Sequence, residues 1–341
     1  MSKKVLVTGG AGYIGSHTVV ELFNSGYEAI ILDDFRNSDI SVIEGLTKIL
    51  GRKPHLVQCD VCDTEQLEKT VASFDISGII HFAAYKAVGE SVENPLDYYS
   101  NNITGLLSVL DVVKKNPKLT FVFSSSCTVY GEPEGLKEVS EQTEKSIPTS
   151  PYGYTKWLGE QIIEDLSIPE SDLRMMSLRY FNPIGAHKSS LIGELPIGNP
   201  NNLLPFITQT AAGIHKEVTV FGNDYPTSDG TCIRDFIHVV DLAKAHVKAV
   251  DYLFSKESGL YEVVNIGTGK GTSVLELIHT FENENAIKLN YSFGPRRPGD
   301  VIEIYANVDY AQRLLGWKSD RDIKDAVKDA WNWEKSIRNI E

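Results

Sequence analysis

Two rhythms of apolar and polar positions alternate along the first half of the chain. Short, nearly continuous apolar runs lie at Lys4–Thr8, Glu28–Asp33, His55–Cys59, Gly78–Ala83, Thr120–Ser125 and Arg174–Phe181. Runs rich in Val, Ile, Leu and Phe without polar alternation predict strands buried on both faces, hence a parallel sheet. Between them Ile14–Asn24, Thr64–Phe74, Ile103–Lys115 and Tyr154–Leu166 carry the helical period. Strand–helix alternation with right-handed crossovers predicts a doubly wound α/β sheet of the Rossmann type.

After Phe181 the rhythm changes. Asn182–Asn202 is dominated by turn residues, among them Gly193, Pro196, Gly198 and Pro200. Such a stretch reads as a long functional loop and a domain boundary. At 341 residues the chain exceeds one ordinary core. The expected division is a dinucleotide-binding domain over residues 1–182 and a smaller, mixed α/β substrate domain over 183–341. A strong helical pattern ends at Phe254, and the 236–254 segment is expected to pack back on the first domain.

Composition narrows the classes. Hydrophobic residues make up 42% and charged residues 23%, as in ordinary globular proteins. Net charge is 33 − 46 = −13 with His neutral, so no clustered basic face for nucleic acid is expected. A small anionic ligand needs only a few placed arginines. No run of 18 apolar residues exists, so no membrane span is expected. The N-terminus passes from Met1-Ser2-Lys3-Lys4 into Val5-Leu6-Val7 without an apolar signal region, and a cytoplasmic location is expected. Cys59-x-x-Cys62 is either half a metal site or redox pair, or a strand end followed by a loop. No second Cys pair or His pair completes a cage, so no metal is expected.

Candidate chemistry begins at Gly9-Gly10-Ala11-Gly12-Tyr13-Ile14-Gly15, directly after the first strand. Glycines there permit a tight strand-to-helix turn, close approach of a pyrophosphate and tight helix packing. The helix N-terminus adds free N–H groups. The second strand ends at Asp33, whose carboxylate would bind ribose hydroxyls and repel a 2′-phosphate, favouring NAD over NADP. Tyr152 and Lys156 are spaced i, i+4 and share a helical face. Bringing a tyrosine from about 10 to near 7 needs ~4 kcal/mol. One ammonium ~4 Å away at an effective dielectric of ~20 supplies about that much. The Ser124-Ser125-Ser126 run ends a strand at the sheet edge where α/β sites lie, and Ser126 is a candidate partner for a reacting oxygen.

The glycine loop, the serine run and the Tyr152/Lys156 pair resemble the extended short-chain dehydrogenase/reductase family. More narrowly, His81–Ser91, Arg179–Ala186, Pro200–Pro205 and Gly230–His238 resemble the UDP-galactose 4-epimerases, and the likeness covers nearly the whole chain. The resemblance implies NAD as cofactor. It implies cofactor contacts from Gly9, Gly12, Tyr13, Ile14, Gly15, Asp33, Asp34, Phe35, Asn37, Ser38, Asp60, Val61, Phe82, Ala83, Lys86, Asn101, Ser124, Tyr180 and Phe181. Tyr152 would be the base, Lys156 its electrostatic partner and a ribose ligand, and Ser126 the second hydroxyl at the sugar. Lys86, Phe181, Asn182, Asn202, Leu203, Phe221, Arg234, Arg297, Asp300 and Ile304 would line the UDP-sugar site. Guanidinium groups suit a diphosphate because they pair bidentately with its oxygens. There are three departures from the family pattern: Ala84-Tyr85 for Gly-Leu, Cys127 for Ala and Asp34 for Asn.

Related dehydratases and decarboxylases carry acids just after the serine run, where this chain has Cys127 and Thr128. Without them the expected reaction is removal and return of one hydride at C4, interconverting UDP-galactose and UDP-glucose. The alternative is 4-epimerisation of another UDP-sugar, a UDP-N-acetylhexosamine or UDP-uronate. A net oxidoreductase and a non-catalytic NAD sensor are the rival classes. In the family the residue four past the aspartate borders the sugar pocket; here it is Ile304. The resemblance also implies a homodimer through the 103–115 and 154–166 helices.

Overall fold

In the computed structural model, which describes residues 2–133, 135–297 and 300–340, seven parallel strands form the main sheet. Their order is 260–266, 174–180, 120–124, 76–81, 4–8, 28–33 and 55–58. Burial explains the sequence pattern. Val5, Leu6, Val7, Ile30, Ile31, Ile79, Ile80, Phe121 and Val122 are all fully buried, because helices cover both faces. One face packs Val19, Val20 and Leu22 of the Tyr13–Asn24 helix against Leu242, Ala245, Ala249 and Leu253 of Val239–Phe254. The other packs Leu67 and Val71 of Thr64–Phe74 and Leu106–Val113 of Pro95–Lys115.

Chain order reverses between the strands 4–8 and 76–81, and such a switch point opens a crevice at the carboxyl edge. The Pro95–Lys115 helix starts eight residues before the 103–115 pattern. Its first turns contain Tyr98, Asn101 and Asn102, polar or bulky groups that hide the period. The Leu260–Ile266 strand, from the C-terminal half, completes the main sheet beside Arg174–Tyr180.

Most elements after Tyr180, with the 138–139 strand, form a smaller layer at the carboxyl edge. A four-stranded sheet runs 272–273, 233–234, 303–306 and 138–139. Two parallel pairs join Phe236–His238 to Asn182–Ile184 and Tyr291–Gly294 to Val218–Phe221. Their core gathers Val218 and Val220 of the 218–221 strand with Leu204, Ile207, Leu277, Phe281, Val327 and Trp331 of the helices 203–211, 274–285 and 323–338. No described helix is long and apolar enough to cross a membrane.

Candidate active site

The glycine loop leaves the end of the Lys4–Thr8 strand. Gly9 has φ +69°, and a Cβ there would lie 2.8 Å from the Ala83 backbone nitrogen. At Gly15 a Cβ would overlap the Gly9 carbonyl oxygen, so helix and loop touch without a side chain between them. Gly12 differs: a Cβ would meet only Gly9 O, at 3.2 Å. It is the N-cap of Tyr13–Asn24, with no side-chain cap and no acid in the first turn. This 12-residue helix therefore aims unneutralised N–H groups at the crevice, which fits a pyrophosphate.

Asp33 is buried at the end of its strand. Its Oδ2 accepts from Ala11 N at 2.9 Å, and its Oδ1 accepts from Phe35 N at 3.0 Å and Ser38 Oγ at 2.8 Å. The carboxylate thus ties the glycine loop to the 34–38 turn as well as lining the crevice. Phe35 has φ +62°, and Asn37 is exposed beside it. Phe82 packs on the buried His246 with ring centroids 4.6 Å apart. Ala83 and Val61 join the core beneath. Ile14 packs on the opposite side. Tyr13 donates its hydroxyl to Gly185 O at 2.6 Å, which fastens the first helix to the loop after the 182–184 strand.

The catalytic candidates meet at the ends of two neighbouring elements. Tyr152 and Lys156 both lie on the Pro151–Ser167 helix, capped by Ser150 through Gly153 N. Lys156 Nζ donates to Ser124 O at 2.7 Å, and Ser124 Oγ donates to Tyr180 OH at 3.1 Å. Ser126 Oγ accepts from Thr128 N at 3.2 Å, and its hydrogen bond to Tyr152 works to lower the phenol. Burial dominates the titration. It drives Tyr152 well above 10 and Lys156 down to about 7. Burial favours the neutral form of both groups and so works against the lowering expected for Tyr152.

Behind this pair lies a network that the sequence reading missed. Arg179 pairs with Glu160 through Nε at 2.9 Å and Nη2 at 2.7 Å, and Arg179 Nη1 donates to Tyr130 OH at 3.0 Å. Ser125 Oγ donates to Glu160 Oε1 at 2.6 Å. Glu160 follows Lys156 by one turn of the same face, so the i, i+4 spacing was a usable signal. The pair holds the serine strand end and the 151–167 helix in fixed register.

Towards the smaller layer, Lys86 Nζ pairs with Glu194 Oε1 at 3.0 Å, and Asn202 Nδ2 donates to the same oxygen at 2.6 Å. Trp333 Nε1 holds the Glu194 carbonyl at 3.0 Å. Glu194 sits in the turn-rich 182–202 loop, where no periodicity marks it. Leu203 opens the helix that follows Asn202. Asn182 N donates to Asp235 O at 3.0 Å. Arg234 Nη2 lies 3.4 Å from Asp300 Oδ1, and the Arg297 guanidinium sits 3.9 Å over the Phe221 ring. Pro298 and Gly299, between Arg297 and Asp300, lie outside the described residues. Ile304 is buried with Phe181, Val129, Tyr130 and Ala306, against half-buried Cys127. Burial pushes the Cys127 thiol up to about 12, so it acts as an apolar filler.

The crevice end expected to take the adenosine holds one residue more than the sequence pointed to. Asp60 and Asn101 both bond to Arg36, as does Asp34. Arg36 escaped the sequence reading although Asp34, Phe35, Asn37 and Ser38 around it were all singled out. Cys59 and Cys62 are pushed up to about 11 by burial and then by the nearby aspartates, which makes them poor thiolates. No cluster of three or more metal-ligating side chains occurs among the described residues.

Known proteins place this geometry. A family model described as GDP-mannose 4,6 dehydratase matches residues 6–330. A UDP-glucose 4-epimerase from Pasteurella multocida is 47% identical over 331 residues, covering 97% of each chain. Among solved structures, the chain superposes on a UDP-glucose 4-epimerase from Stenotrophomonas maltophila, with bound NAD and formylated UDP-arabinopyranose. The TM-score is 0.96, at 44% identity over 99% of this chain and 100% of that one. A UDP-glucose 4-epimerase from Bifidobacterium longum, in complex with NAD+ and UDP, gives a TM-score of 0.94 at 44% identity, again over 99% of this chain and 100% of that one.

Proposed function

The chain belongs to the UDP-glucose 4-epimerase family, and from that premise we propose how its own residues interconvert UDP-galactose and UDP-glucose. The enzyme is an epimerase and uses NAD. NAD, when bound, supplies the group that accepts the C4 hydride and gives it back to the other face. Gly9–Gly15 with the helix N-terminus would hold its pyrophosphate, Asp33 its adenosine ribose and Lys156 its other ribose. Tyr152 takes the C4 hydroxyl proton in one direction and returns it in the other. Ser126 hydrogen-bonds the same oxygen. Between the two half-reactions the 4-keto sugar presents its opposite face. Arg234, Arg297, Asn182 and Asn202 hold the UDP end, so that the sugar turns while the diphosphate stays anchored. Fixing the reactants in one crevice supplies much of the rate.

The observation that carries this reading is the meeting of Tyr152, Lys156 and the Ser124–Ser126 strand end beside an open helix N-terminus. Cys127 and Thr128, just past the serines, offer no acid for elimination, which supports plain hydride return. Residues 1–182 are read as the bulk of the cofactor domain and 183–341 as the bulk of the substrate domain, with the 239–254 helix and 260–266 strand returning to the main sheet and the 138–139 strand crossing to the smaller one. The protein is read as a cytoplasmic homodimer paired through the 95–115 and 151–167 helices, where Leu96 and Leu107 are exposed. The test is incubation of purified protein with UDP-galactose and no added NAD. UDP-glucose should form without accumulation of NADH; net NADH production would overturn the reading in favour of a dehydrogenase.

A further inference from the structure

The Arg36 guanidinium joins four segments at the adenosine end of the crevice. Its Nη2 pairs with Asp34 Oδ2 at 2.7 Å and with Asp60 Oδ2, while its Nη1 donates to Asn101 Oδ1 at 2.9 Å and Tyr85 OH at 3.3 Å. The Tyr85 ring also lies within cation–π range, 5.9 Å from the guanidinium carbon. Asp34 follows the strand 28–33, Asp60 follows 55–58 and Tyr85 follows 76–81, while Asn101 rides the 95–115 helix. In the sheet the strand 4–8 lies between 28–33 and 76–81. The guanidinium therefore bridges from one side of the glycine loop to the other, across the switch point.

Two of the three departures from the family pattern, Asp34 and Tyr85, meet on this residue. Both Asp60 and Asn101, expected to face the cofactor, are engaged by it. We propose that Arg36 is a cofactor latch: it straps the walls of the crevice together over the adenosine half of NAD and slows its release. This rests on the reading of the crevice as the NAD site. An epimerase gains from such a strap because the cofactor ends each turnover in its starting state and has no need to leave. The partners are partly exposed, so the strap is held by several modest ion pairs and weakens in salt.

The test loads the full-length protein with radiolabelled NAD, chases with excess unlabelled NAD and follows release of the label. Arg36→Ala should release it roughly tenfold faster, the size expected of a partly exposed network. Arg36→Lys, which keeps the charge but not the fork, should fall between. Release from the unaltered protein should also speed up between low salt and about 1 M salt, which probes the latch even if a variant folds poorly. Equal release from the unaltered protein and Arg36→Ala, or release indifferent to salt, would overturn the latch. An unaltered protein that takes up no NAD would instead bring down the functional reading, and the latch with it.

Discussion

Lys156 gives its ammonium to the carbonyl of Ser124, 2.7 Å away, and not to the phenol of Tyr152 four residues earlier. That one bond locks the catalytic helix to the serine strand end. It also leaves a lysine buried among groups that offer it no carboxylate.

Burial lowers Lys156 from 10.5 to about 7, and this makes the site unstable in a pH-dependent way. Between these values the unfolded chain binds the proton more tightly than the folded one. Stability from this group is therefore full above about 10.5 and falls as pH drops towards 7. Lys156→Met should abolish most turnover yet raise the melting temperature at pH 7, and the advantage should vanish near pH 10.5. A variant that melts lower than the unaltered protein at pH 7, or whose advantage persists to high pH, contradicts this account.

Tyr152→Phe should cut turnover by several orders of magnitude while NAD stays bound. The phenol is the group of the pair expected to exchange the C4 proton, because the Lys156 ammonium is anchored on Ser124 O and keeps its other N–H donors for a ribose. Single-turnover and steady-state rates with UDP-galactose measure the loss. Turnover near that of the unaltered enzyme would remove Tyr152 from the role of base.

Asp33→Ala should weaken NAD and improve relative NADP binding. It should also lower stability, because Ala11 N, Phe35 N and Ser38 Oγ all lose their acceptor. Leaving such donors unpaired costs about 1–3 kcal/mol each where they stay dry. Fluorescence titration with both dinucleotides, together with thermal melts, separates the effects. Unchanged cofactor preference would sink the assignment.

Ile304 should limit the bulk of the sugar. It is packed against Phe181 and Cys127, so a 2-acetamido group pressing on that wall meets a filled layer. Forcing it in costs about 1–3 kcal/mol, roughly a tenfold to hundredfold loss of kcat/KM. Comparing UDP-galactose with UDP-N-acetylgalactosamine in the unaltered enzyme and in Ile304→Ala gives the answer. An unchanged ratio between the two sugars means the gate lies elsewhere.

Light scattering at micromolar concentration should return twice the 37.8 kDa chain mass. Leu107→Glu should halve it, because Leu107 is 49% exposed in the middle of the 95–115 helix. A charge set into an apolar helix pairing opposes association. A single-chain mass for the unaltered protein would refute the dimer.

The sequence by itself determined the doubly wound sheet and the standing of the glycine loop and Asp33 at its carboxyl edge. Fully apolar strands, a glycine loop and a carboxylate at Asp33 are local signals, set by backbone sterics and by burial on both faces. Tyr152 and Lys156 were legible for the same reason, since one helical turn fixes their common side. Tertiary structure alone decided what these groups do to one another. Desolvation, which depends on everything packed around a residue, sends Tyr152 up and Lys156 down, against the pairwise estimate. The Glu160–Arg179 pair joins residues 19 positions apart, Glu194 reaches Lys86 across 108, and Arg36 gathers Asp60 and Asn101 from separate crossovers. No period or motif encodes such meetings, because they exist only once the strands are ordered and the carboxyl ends stand side by side.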